Sequence, residues 1–73
     1  MSNDLANKIV AAIEPFVGKV VAQAGLKTQC TKIGKNLDTI DRNDLAKLSS
    51  LIGNAMKSFG KDGTAIANAI RSV

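Results

Sequence analysis

Apolar residues recur along this chain at helical spacing. Projected at 100° per residue, Leu5, Ile9, Ala12, Ile13, Phe16, Val20 and Ala24 fall on one side, widened by Ala6, Val10, Val17 and Val21. The arc spans about 180°, more than the roughly 100° a packed surface helix needs. The phase runs across Pro15, the only proline. The pattern therefore predicts one helix over 4–24, kinked at Pro15, with Pro15 and Lys19 on the polar side; the competing reading ends a helix at Glu14 and starts the next at Pro15.

After Gly25 the phase turns by roughly 100° on the same projection. Leu26, Cys30, Ile33 and Leu37 define a second, weaker helix over 26–34, with Gly34 as its close; Gly25 is its hinge or cap, or else the helix continues through Gly25 and offers its rotated face to a different neighbour. The next boundary is sharper. Asp41 is an N-cap and Asp44 falls at N3, where its charge suits the helix start. Ile40 and Leu45 take the two staple positions. Leu45, Leu48, Leu51, Ile52, Ala55, Met56 and Phe59 then form one stripe, predicting a helix over 42–59 that ends at Gly60. A turn over 60–63 leads to a last helix over 63–72, carrying Ile66 and Ile70 and capped by Asp62 or Thr64.

No segment alternates as a strand. The fold class expected is all-α: a single domain over 1–73, a small bundle of about four helices. Its core is expected to hold Ile9, Ile13, Phe16, Val20, Leu45, Leu48, Ile52, Met56, Phe59, Ile66 and Ile70. One partial repeat stands out, Asn54-Ala-Met-Lys-Ser-Phe59 against Asn68-Ala-Ile-Arg-Ser-Val73. It reads as two similar amphipathic helix ends.

Composition narrows the chemistry. With 73 residues and one cysteine, no disulfide closes within the chain. Without histidine, a structural zinc site and Ser-His-Asp or Cys-His catalysis are not expected. No Walker or dinucleotide-binding pattern is present. Gly60-x-x-Gly63 has the spacing of a KH loop, but a KH domain needs a sheet. Acyl carrier proteins are of this size, yet they are acidic and carry an Asp-Ser-Leu serine that this chain lacks. Cys30 reads as a small buried hydrophobe. The expectation is no enzyme, no cofactor and no metal. The polar Met1-Ser2-Asn3-Asp4 start is unlike a signal peptide, and a lone cysteine suits a reducing compartment, so a cytoplasmic location is expected.

Net charge is +4. The excess lies in residues 15–37, where Lys19, Lys27, Lys32 and Lys35 meet no acid. These four form a candidate basic surface. Two binding functions follow. The surplus apolar arc, with Val10, Val17, Val21 and Ala24 as candidate interface, points to a protein-interaction module that pairs with a partner or with itself. The alternative is nucleic-acid binding, through the basic middle segment or a helix-turn-helix-like pair, 42–59 and 64–73. Residues 5–24 lack the interfacial aromatics and cation density of a membrane-surface helix.

Overall fold

The computed structural model describes residues 3–73; Met1 and Ser2 of the polar start lie outside it. The elements are α1 (Asp4–Val17), α2 (Lys19–Lys32), a 3₁₀ turn (Arg42–Asp44), α3 (Leu45–Ser58) and α4 (Gly63–Arg71). The fold is an all-helical bundle of four helices, with no strand among the described residues.

Asn3 starts α1 by accepting the Ala6 N–H at 2.8 Å. Its own side-chain amide donates to the Ile40 carbonyl at 2.9 Å, tying the helix start to the 33–41 loop. Ala6, Ile9 and Ile13, at spacings of three and four, are the buried side of α1. Pro15 sits inside α1 and is exposed, and Lys19, the first residue of α2, is exposed too.

The single 4–24 helix expected from the periodicity is two helices. Pro15 neither ends nor separates them; the break falls at Gly18. This residue has φ 84° and ψ 161°, a backbone region that essentially only glycine enters. The Gly18 N–H still closes α1 on the Glu14 carbonyl, and the Gly18 carbonyl opens α2 by accepting from Ala22. The chain thus changes direction within one residue, and α2 packs back on α1.

The phase also resets at Gly18, not at Gly25. The buried residues of α2 are Ala22, Leu26, Gln29 and Cys30. Gly25 is no hinge. It lies mid-helix where α2 meets α3, and a Cβ there would sit 2.6 Å from the Met56 Cε.

The remaining boundaries follow the predicted chemistry. Gly34 and Gly60 adopt φ 76° and φ 80°. Each ends its helix in a Schellman motif: Lys35 N–H donates to the Cys30 carbonyl, and Lys61 N–H to the Met56 carbonyl. Asp41 and Asp44 form a reciprocal capping box, although the first turn is 3₁₀ rather than α. Asp62 caps α4 by accepting the Ala65 N–H at 3.0 Å.

The core holds Ile9, Ile13, Leu26, Cys30, Ile40, Leu48, Ile52, Met56, Ile66 and Ile70, with Ala6 and Ala22 between the larger side chains. A fully buried aliphatic side chain contributes roughly 1.5–3 kcal/mol. Three expected core residues lie outside. Val20 is 79% exposed because α2 buries its opposite side. Phe59 is 77% exposed because α3 ends at Ser58 and the chain turns away at Gly60. Phe16 is 38% exposed beside the Gly18 corner. Leu45 packs on the core edge, half-buried.

α3 and α4 cross closely because glycine stands on both sides of the contact. A Cβ on Gly53 would meet the Gly63 carbonyl oxygen at 2.8 Å and the Ala67 Cβ at 3.2 Å. No helix among the described residues is long and apolar enough to cross a membrane.

Candidate interaction surface

The one-residue corner at Gly18 leaves an open cleft of about 670 Å³ between α1 and α2. Ala6 and Leu26 reach it from the core, and Val10, Ala24 and Leu37 add apolar wall. Glu14 of α1 stands on its border, as do Lys19 and Lys27 of α2. Val20, which the core does not cover, lines the same cleft.

The candidate interface residues divide. Val10 and Ala24 line the cleft. Val17 is half-buried against the core edge, and Val21 is 46% exposed but off the cleft. Periodicity placed Val20 in the core and so missed it as a surface residue. The signal that finds it is the Leu26–Cys30–Ile33 phase extended back to Ala22, which sets Val20 on the outer side.

The four lysines do not act as one surface. Lys19 and Lys27 border the cleft; Lys32 is exposed elsewhere on α2. Lys35 is held by acids: its Nζ lies 3.0 Å from Asp44 Oδ2 and 3.6 Å from Asp41 Oδ2. The same Asp44 oxygen accepts the Asp41 N–H at 2.9 Å. That backbone hydrogen bond, then the bond from Lys35, hold the Asp44 carboxyl below its ordinary value. The bond to Asp44 in turn raises Lys35. This cluster clamps the end of α2 to the start of α3.

Cys30 is buried. Burial first, and then the charge of Asp44, push its thiol up, away from the reactive thiolate. Next to it, Gln29 is 4% exposed and its Oε1 has no hydrogen-bond partner. No group of three or more His, Cys, Asp or Glu gathers among the described residues. On the rival α3–α4 pair, Thr64, Asn68, Arg71 and Ser72 are exposed, and Arg71 donates to Asn68 Oδ1 at 2.9 Å. Comparison with family models, curated proteins and solved structures finds no match.

Proposed function

We propose that this protein is a non-catalytic helical interaction module whose α1–α2 face pairs with the same face of a second copy. The supporting observation is Val20, a large aliphatic side chain left 79% exposed on the border of an apolar cleft. Phe16 and Val21, also exposed, extend apolar surface around the Gly18 corner. A second copy suits this cleft because its border carries both charge signs. Under a two-fold axis, Glu14 of one protomer can meet Lys19 or Lys27 of the other. A standard interface covers about 800 Å² per partner, about a fifth of the 4309 Å² this protomer exposes.

Sedimentation velocity at micromolar concentration tests the reading. A dimer is expected, reverting to monomer in Val20→Glu, which buries a charge at the seam. A strictly monomeric wild type removes the proposal. Nucleic-acid binding through the basic middle segment draws on less, since Lys35 is already engaged by Asp41 and Asp44.

A further inference from the structure

A second groove, of about 230 Å³, runs along the α3–α4 crossing. Its floor is Gly53, Gly63 and Ala67, where the two helices close to backbone contact. Around that buried floor stand Ser50, Asn54 and Lys57 from α3, and Thr64 and Arg71 from α4. None of the lining residues is acidic.

The hydroxyls set this groove apart. Thr28, Thr31, Thr39, Ser49, Ser58 and Ser72 each donate to a backbone carbonyl three or four residues earlier. Among the described serines and threonines, Ser50 and Thr64 alone make no such bond, and both line the groove. Lys57 has no acid partner among the described residues. Arg71 uses one N–H on Asn68, and its guanidinium carries five. The partial repeat explains the symmetry of the arrangement. Lys57 and Arg71 occupy the same place in the two copies, and the close crossing brings both cations to one groove.

We infer that the α3–α4 groove is a binding site for the dianionic phosphate group of a small molecule. Two unopposed cations match its charge, and two free hydroxyls and the Asn54 amide supply further donors to its oxygens. The ligand sits in the groove rather than on the end of α4, where the Asp62 carboxylate already holds the cap. This site is separate from the α1–α2 face and does not depend on self-association.

Titration of ¹⁵N-labelled protein with inorganic phosphate, at ionic strength held constant with chloride, tests the assignment. Saturable shifts centred on Ser50, Asn54, Lys57, Thr64 and Arg71 are expected. Lys57→Gln and Arg71→Gln should each weaken the apparent affinity roughly tenfold, the loss of a charge-assisted hydrogen bond. Lys61→Gln, exposed and off the groove, should leave it unchanged. All three are surface changes, and preserved shift dispersion verifies the fold. Shifts that never saturate, or that persist unchanged in both groove variants, overturn the inference. So does a DNA duplex that moves these residues when inorganic phosphate does not, which would assign the groove to a nucleic-acid backbone.

Discussion

Replacing Gly18 with alanine separates a broken first helix from a continuous one by the sign of its effect. If residues 4–24 were one helix, Gly18 would be an interior glycine, and alanine would stabilise it by about 1 kcal/mol. At φ 84° and ψ 161° the expectation reverses. An L-residue in this region carries about 1–3 kcal/mol of backbone strain. No collision adds to that, since nothing lies within 4 Å of a Cβ at position 18. Alanine's smaller unfolded-state entropy offsets about 0.4–1 kcal/mol. The net expectation is a loss of about 1–2 kcal/mol. For a domain this small each kcal/mol moves Tm by about 4–8 °C. D-alanine at the same position, introduced by chemical synthesis, is the control. Its favoured backbone includes positive φ, so it keeps the entropic gain without the strain and should raise Tm above wild type. Thermal melts followed by circular dichroism read all three proteins. A higher Tm for the L-alanine variant would refute the corner at Gly18, and with it the origin of the α1–α2 cleft.

Gln29→Met keeps side-chain length and helix propensity while removing an amide whose buried oxygen has no partner. It should raise stability by about 1 kcal/mol in urea titration, because an unmet buried polar group costs about 1–3 kcal/mol; a loss of that size would mean the oxygen is satisfied. The Asp44–Lys35 contact should contribute fully at neutral pH. Asp44 lies below its ordinary 3.8 in the folded state, so its contribution fades as pH falls under that value and through the lowered one. Lys35 lies above its ordinary 10.5, so its contribution fades as pH rises past that. Urea midpoints of wild type and Asp44→Asn should therefore converge at acid pH and draw closer, without meeting, at alkaline pH, where the Asp41 N–H still bonds the Asp44 carboxylate; a constant gap from acid to alkaline pH would contradict the pairing. Finally, Cys30 should react with iodoacetamide at pH 7 far more slowly in the native protein than in urea, as its burial and raised thiol demand. Equal rates would place it outside the core.

Several features of this protein were settled by short-range chemistry and were legible in the chain. The Asp41 N-cap with Asp44 at N3, a cap at Asp62 or Thr64, and the Gly34 and Gly60 C-termini each depend on residues within one or two turns; that Asp44 bonds back to Asp41 and that Asp62 is the residue that caps are seen in the structure. The stripes of α1, α3 and α4 point one way only, so Ile9, Ile13, Leu48, Ile52, Met56, Ile66 and Ile70 were identifiable as core. Residues 17–33 are different, because they carry two apolar faces. Val17, Val20, Val21 and Ala24 continue the phase of α1, while Ala22, Leu26, Cys30 and Ile33 offer another. Local propensity favours neither.

The tertiary structure chose the second face. Once Gly18 lets α2 turn back, only that face meets α1 and α3, with Gly25 clearing the space for Met56. That choice exposed Val20 and produced the cleft, whose lining includes Val10, Ala24, Lys19 and Lys27 of the residues the sequence singles out. The α3–α4 groove likewise needed the fold. Lys57 and Arg71 lie fourteen residues apart in a repeat, and only the glycine-to-glycine crossing of Gly53 and Gly63 brings them together. A one-dimensional pattern records which residues can share a helix face. Which of two adequate faces is buried depends on contacts between distant segments, and those are set only when the helices pack.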